Sequence, residues 1–295
     1  MPTPVIIEAA LNGGLTKKIN PRVPRTPEEV ATDAIACMAA GAAIIHNHTR
    51  DPVIGGSGVH DPQPYLQAWR EILAVRPDAL LYPTMAGGGA HVDITARYAH
   101  IEYLANQGVL AQGLVDPGST NLGRLDERGL PRPDDIVYQN TYRDSVYMIE
   151  ACRRLKVGMS VSIFEPGFLR VILAYHAAGQ LPPGAMIKFY FGTGRAQFGL
   201  PPTAAALNAY LDMLGDTDLP WLVSAQGGDV IACGLARIAL ERGGHLQVGL
   251  EPSGDAQRSN VELVENAVTL ATAVGRPVAT PTQARALLQL PTRAA

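Results

Sequence analysis

Residues 27–48 read Pro27-Glu-Glu-Val-Ala-Thr-Asp-Ala-Ile-Ala-Cys-Met-Ala-Ala-Gly-Ala-Ala-Ile-Ile-His-Asn-His48. From Pro27 to Ala40 the apolar residues fall at three- and four-residue spacing, the period of a helix with one buried face. From Ala43 to His48 the pattern becomes a short apolar run of strand length. This helix-then-strand unit repeats. Strand-like runs stand at Val5–Ala10, Ala43–His48, Leu80–Thr84, Gly113–Asp116, Gly158–Phe164, Met186–Phe191, Trp221–Ala225 and Leu246–Glu251, with helical segments such as Ala90–Asn106, Tyr142–Lys156 and Asn260–Val274 between them. Eight continuous apolar strands with helical crossovers imply a parallel sheet covered on both faces. A closed (β/α)8 TIM barrel provides this without exposed edges and is preferred to a doubly wound sheet.

The 295-residue chain is 47% apolar, enough for a large core, and no linker, repeat or composition shift divides it. The expectation is one barrel domain over residues 1–295, with Thr280–Leu290, opened by Pro281, as an additional C-terminal helix. Glycine and proline gather in the loops after strands, at Gly55–Gly58, Gly87–Gly89, Pro117–Gly118 and Gly192–Gly194. A barrel enzyme assembles its site from those loops.

A net charge of −3 without basic runs or acidic tails gives no reason to expect nucleic acid or an anionic membrane, so a small molecule is the expected partner. Cys37, Cys152 and Cys233 are odd in number and widely spaced, which argues against a disulfide framework or a CxxC metal site. Met1-Pro-Thr-Pro lacks the basic start of a signal peptide, and no apolar run reaches transmembrane length. A cytoplasmic protein is expected.

Strand alternation in Ala43-Ile-Ile-His-Asn-His puts Ile44, His46 and His48 on one face and Ile45 and Asn47 on the other. Two imidazoles about 6–7 Å apart along a strand can converge on one zinc or similar ion. The competing reading is a pair of hydrogen-bonded structural histidines. In the last strand Gln247, Gly249 and Glu251 share a parity, and strand eight of a closed barrel neighbours strand one, which neighbours strand two. Glu251 can then complete a two-histidine, one-carboxylate site, the alternative being a solvated rim residue. Glu8 has inward parity and reads either as a buried carboxylate held by a basic or hydroxyl partner or as a base. The stretches Asn12-Gly13-Gly14, Thr84-Met-Ala-Gly87-Gly88-Gly89 and Asp116-Pro-Gly-Ser119 offer backbone N–H groups to a ligand. Arg195 follows strand six and is suited to a carboxylate or phosphate, or else is a solvated loop residue.

These residues belong to a wider set of motifs: Ala10-Leu-Asn-Gly, Asn20-Pro with Pro24 and Thr26-Pro-Glu-Glu, Ala40-Gly-Ala-Ala-Ile-Ile-His-Asn-His with Arg50-Asp51, Asp116-Pro-Gly-Ser, Phe164-Glu-Pro-Gly, and Gly275-Arg-Pro-Val-Ala-Thr-Pro-Thr-Gln-Ala-Arg. The chain thereby resembles, nearly end to end, the zinc-dependent β-keto acid cleavage enzymes of the 3-keto-5-aminohexanoate type. The resemblance implies an oligomeric (β/α)8 barrel with zinc on His46, His48 and Glu251. It also implies a reaction in which a β-keto acid and acetyl-CoA give acetoacetate and a new acyl-CoA by C–C cleavage.

The amino-hexanoate enzyme has an arginine four residues before its metal glutamate and an aspartate directly after it, where this chain has Gln247 and Pro252. An arginine of the loop after strand seven is replaced by the stretch Gln226-Gly-Gly-Asp, and Thr84 stands near a family serine. Either Glu8, Glu165, Asp116 or a metal-bound hydroxide has taken the role of base, or the metal serves another reaction. A CoA-independent metal aldolase or hydrolase, and a metabolite-binding barrel without catalysis, are the alternatives. Asn12, Gly13, Thr84, Gly87, Gly88, Ser119, Arg195 and Gln247 are the expected substrate contacts.

Overall fold

The computed structural model describes residues 2–49, 56–85, 87, 92–133, 135–194 and 196–291. In chain order the elements are β1 (Ile7–Ala10), α1 (Pro27–Ala40), β2 (Ile44–Asn47), α2 (Gln63–Val75), β3 (Leu80–Pro83), α3 (Ile94–Asn106), β4 (Gln112–Val115), β5 (Thr120–Asn121), β6 (Val137–Tyr138), α4 (Tyr142–Leu155), β7 (Gly158–Ile163), α5 (Pro166–Ala177), β8 (Ala185–Gly192), α6 (Ala204–Leu214), β9 (Trp221–Gln226), α7 (Leu235–Glu241), β10 (His245–Val248), α8 (Leu250–Ser253), α9 (Asn260–Ala273) and α10 (Pro281–Leu287). The helices start where side chains satisfy free backbone N–H groups. Thr26 and Glu29 form a capping box on α1 with Pro27 in its first turn, and Thr141, Ser259 and Thr280 cap α4, α9 and α10 in the same way.

Eight strands form one parallel sheet in the order β3-β2-β1-β10-β9-β8-β7-β4. Its two edges meet where the Ala111 N–H donates to the Leu81 carbonyl at 2.9 Å, so the sheet curls into the expected (β/α)8 barrel. The two-stranded β5–β6 hairpin lies outside the barrel sheet. Its strands are too short to carry any periodicity in the sequence.

The register fixes which side chains share a level. Glu8 lies opposite Ile44 and Gln247, and one level higher Ala10 lies opposite His46, which lies opposite Tyr82. Residues of the other parity face the helices: the Trp69 indole of α2 donates to Asn47 Oδ1 at 2.9 Å, which accounts for an asparagine on the outer face of β2. At the opposite end of the barrel Arg276 donates to the carbonyls of Thr3, Leu240 and Gly244 and fastens the chain's two ends.

The sequence reading carried the last strand through Glu251. The strand ends at Val248, because Gly249 turns to φ +128, and a Cβ there would lie 2.2 Å from the Ala10 carbonyl oxygen. The next residues wind into α8, whose first turn carries Glu251. Alternation therefore identifies the residue but not the route by which its side chain reaches the barrel mouth.

Two buried histidines make the fold sensitive to acid. His245 accepts the Ile6 N–H at its Nδ1, and burial, then the nearby Arg276 charge, pushes its pKa down to about 3. Burial pushes His100 down to about 4, although its Nε2 meets the Thr84 carbonyl. Since both titrate near 6.5 once unfolded, their stabilisation is complete above that pH and is lost progressively as pH falls towards 4 and 3. His245→Asn keeps an acceptor for Ile6 and removes one such proton. Urea unfolding between pH 6.5 and 4.5 is expected to show a stability slope smaller by about 1.4 kcal/mol per pH unit in this variant. Parallel slopes would show that His245 does not titrate on unfolding.

A candidate metal centre at the mouth of the barrel

His46 on β2 and His48 just beyond it bring their Nε2 atoms to 3.1 Å from each other. Glu251 places Oε2 3.2 Å from His46 Nε2 and Oε1 3.1 Å from His48 Nε2. The His46 Nδ1–H donates to the Tyr82 carbonyl at 3.3 Å, and the ring stacks on Tyr82 with centroids 4.4 Å apart. That bond fixes the tautomer and turns the Nε2 lone pair towards Glu251. Burial holds His48 below its ordinary pKa, hence neutral. Burial works to raise the Glu251 carboxyl, but proton-bearing imidazoles beside it outweigh burial and hold it well below the usual carboxylate range; with both imidazoles neutral, a cation is needed to replace that support.

One ligand atom from each of the three residues lies within 4.8 Å of the others. Glu251 Oε2 is buried and has no hydrogen-bond donor among the described residues. Lone pairs facing one another at such distances repel unless a cation sits among them. Two imidazoles and one carboxylate are a donor set suited to a divalent ion with open coordination positions, so the residues present fit a metal.

The supports of these residues come from two distant stretches of chain, Asn12-Gly13 and Asn260. Asn12 Oδ1 accepts the His48 N–H at 2.7 Å, while its Nδ2 donates to the carbonyls of Pro24 and His48 at 3.0 and 3.1 Å. Gly13 leaves room for Glu251, since a Cβ there would lie 2.6 Å from Glu251 Cγ. Asn260 Oδ1 accepts the Leu250 N–H at 2.8 Å, and its Nδ2 donates to the Leu11 carbonyl and to Asp33. One asparagine of α9 thus locks both the turn carrying Glu251 and the segment carrying Asn12.

The triad opens on a cavity of about 630 Å³, also lined by Gly13, Thr84, Asp116, Tyr138, Ser162 and Tyr190. Asp116 is buried, with Oδ2 accepting the Tyr138 hydroxyl at 2.5 Å and Oδ1 lacking a hydrogen-bond partner among the described residues. Burial raises its pKa, although Tyr138, Ser162 and the charges of Lys188 and Arg97 act the other way. The other expected residues are placed differently. Glu8 lies below the triad, where it accepts from Tyr82 and from Gln247 Nε2 at 2.6 Å and pairs with Lys188 Nζ at 3.4 Å. Glu165 is outside the lining, accepting from Thr120 at 2.8 Å and from the Gly199 N–H at 3.0 Å. Ser119 is bonded to the Asn140 backbone, Gly87 is buried, and Gly88 and Arg195, like the Arg50-Asp51 motif, lie outside the described residues.

Several lining residues were not singled out from the sequence. Ser162 and Tyr190 stand on β7 and β8 and were open to the parity argument that found His46. Tyr138 and Arg124 belong to the hairpin region, which gave no signal. Arg25, in the Asn20–Thr26 motif, donates to the carbonyls of Gly13 and Leu15 at 3.0 and 3.3 Å and fixes the loop beside Glu251. Asn12→Ala removes the bracket on His48 and is expected to weaken divalent-metal affinity about 10- to 100-fold while the protein stays folded. Competition with a chromophoric chelator measures this, and unchanged affinity would refute the role of Asn12.

A profile of the beta-keto acid cleavage enzyme family matches residues 4–290. The chain is 27% identical over 292 residues to a 3-keto-5-aminohexanoate cleavage enzyme of Fusobacterium nucleatum subsp. nucleatum, covering 97% of this chain and 98% of that enzyme. It is 27% identical over 305 residues to a 3,5-dioxohexanoate:acetyl-CoA acetone transferase of Paraburkholderia graminis, covering 97% and 96%. Among solved structures, ObcA in binary complex with oxaloacetate superposes with a TM-score of 0.68 at 17% identity, over 92% of this chain and 68% of ObcA, a likeness of fold. With nearly its whole length matched by the family profile, the chain belongs to the beta-keto acid cleavage enzyme family.

Proposed function

We propose that the protein converts a β-keto acid and acetyl-CoA into acetoacetate and a new acyl-CoA, using zinc held by His46, His48 and Glu251. The observation that carries this reading is that the triad and Asp116, a buried carboxylate whose Oδ1 has no hydrogen-bond partner among the described residues, line one cavity. Zinc bound there would polarise the keto oxygen and make the neighbouring carbon acidic. A cavity of about 630 Å³ is within the range that takes small metabolites.

Of the carboxylates eligible as base, Glu8 and Glu165 lie outside the cavity lining, and each has its Oε1 engaged by two or more other groups of the protein. Asp116 is a residue of the cavity lining, and its Oδ1 has no hydrogen-bond partner among the described residues. Asp116 takes a proton from the carbon between the keto and carboxyl groups and returns it to the same position of acetoacetate. The substrate's acyl group leaves on CoA sulfur, and the acetyl group takes its place, so atoms and charge balance without a further reactant.

Apart from Glu251, Asp116 is the one carboxylate in the described lining, and Met85, Leu114, Leu122 and Phe164 supply apolar surface. With Asp116 occupied by proton transfer, no described anion is left for an ammonium. The described lining thus offers a distal ammonium no second carboxylate, which favours a distal group other than the amine named in the Fusobacterium relative.

The test is to give zinc-loaded protein acetyl-CoA and β-keto acids with neutral, acidic or basic ends, and to measure acetoacetate and acyl-CoA together. Both products are expected, with the neutral acids turned over fastest. Asp116→Asn is expected to lower kcat about 10²- to 10⁴-fold without loss of bound metal. Consumption of the keto acid without any thioester would replace this reading with a CoA-independent aldolase or hydrolase, and a fully active Asp116→Asn would remove Asp116 as the base.

A further inference from the structure

Lys188 interrupts the apolar run of β8 and is fully buried inside the barrel. An ammonium there must be paired and hydrogen-bonded to be tolerated. Its Nζ donates to the Tyr82 hydroxyl at 2.6 Å and lies 3.4 Å from Glu8 Oε1. Because an ammonium only donates, the Tyr82 oxygen accepts from it and sends its own proton to Glu8. Each proton in this part of the network has one direction.

The same reasoning fixes Gln247 and, through it, Tyr190. Gln247 Nε2 lies 2.6 Å from Glu8 Oε1, so this end of the amide is the NH2; the flipped amide would set two oxygens against each other. Its other hydrogen goes to the Tyr190 hydroxyl, 3.3 Å away. The Lys188 ammonium also stands beside Tyr190, 5.7 Å from its ring centroid. Tyr190 therefore has donors behind it, and among the described residues none is found to accept its own proton. Yet Tyr190 lines the cavity, within the electrostatic reach of Glu251. The direction left for its O–H is into the cavity.

We propose that Tyr190 is a catalytic hydrogen-bond donor to the keto oxygen of the bound β-keto acid, and that Gln247 is a positioning residue acting through it. The proposal rests on the reading of the protein as a β-keto acid cleavage enzyme. Negative charge grows on that oxygen as the neighbouring carbon loses its proton, and a donor already aimed at it stabilises the charge without reorganising. The buried ammonium beside the phenol strengthens the donor.

Tyr190→Phe, Gln247→Leu and the double variant are compared with wild type for melting temperature, bound zinc, kcat, KM and the affinity for acetoacetate, which presents the same keto carboxylate. Tyr190→Phe is expected to keep its fold and zinc, to lose about 10²-fold in kcat with little change in KM, and to bind acetoacetate about fivefold more weakly. Gln247→Leu is expected to lower kcat in wild type and to add nothing further in the Tyr190→Phe background. Unchanged kcat and unchanged acetoacetate affinity in Tyr190→Phe would overturn the donor. Equal losses from Gln247→Leu in both backgrounds would make Gln247 a structural residue. If wild type binds acetoacetate but forms no acyl-CoA, the cleavage reading fails, and the fivefold difference still decides for or against Tyr190. If wild type binds no keto acid, both fall.

Discussion

The pairing of β1 with β10, which sets Ile7 against Leu246 and Glu8 against Gln247, is the contact on which the site depends. His46 and Glu251 are two hundred residues apart in the chain, and they meet because β1 holds β2 on one side and β10 on the other. The closest approach in this seam is Gly249 against the Ala10 carbonyl, where no side chain fits. From that point the chain leaves the sheet, and the first turn of α8 delivers Glu251 over Gly13. Asn260 and Asn12 then secure the backbone on either side, so His48 and Glu251 are held by asparagine side chains that do not themselves line the cavity.

Below the ligands the barrel is not filled with hydrocarbon. Glu8, Tyr82, Lys188 and Gln247 occupy its axis as a linked set in which each donor has an acceptor. Such a set contributes little net stability compared with well-packed apolar residues, and loss of one charged member would leave the other buried and unpaired at a cost of about 3–5 kcal/mol. What it does provide is direction. Tyr82 serves the set twice, since its hydroxyl joins Lys188 to Glu8 while its carbonyl and ring orient His46.

The alternation of apolar strand and helix was legible because eight strands buried on both faces leave little freedom in composition, and parity placed His46 and His48 together for the same reason. Glu251 was identified by carrying that parity through a glycine that in fact ends it; a positive φ at one residue is invisible to a two-residue period. The hairpin of Thr120–Asn121 and Val137–Tyr138 was missed because two-residue strands have no pattern to read, and with it went Tyr138, the partner of Asp116. Lys188 stands as a lone charge in the apolar run of β8, yet it was not singled out from the sequence. Its significance comes from strands β1, β3 and β10 meeting β8 across the barrel, which no local pattern shows.

The same ammonium bears on both sides of the cavity. Burial alone would favour the neutral form of Asp116, and a protonated carboxyl cannot serve as a base; the charge of Lys188 acts against that. Burial also works against giving up a proton at Tyr190, and there too Lys188 pulls the opposite way, which makes the phenol a stronger donor while it stays protonated. One cation held beneath the cavity by Glu8 and Tyr82 thus favours an ionised acceptor on one wall and a polarised donor on another. This is the pair of conditions that proton abstraction beside a keto group requires. Under the proposed function it also gives a physical reason for a chain with Gln247 and Pro252 beside Glu251 to keep a charged residue deep in its barrel: the positive charge would act from below, through Tyr190, instead of reaching the substrate directly.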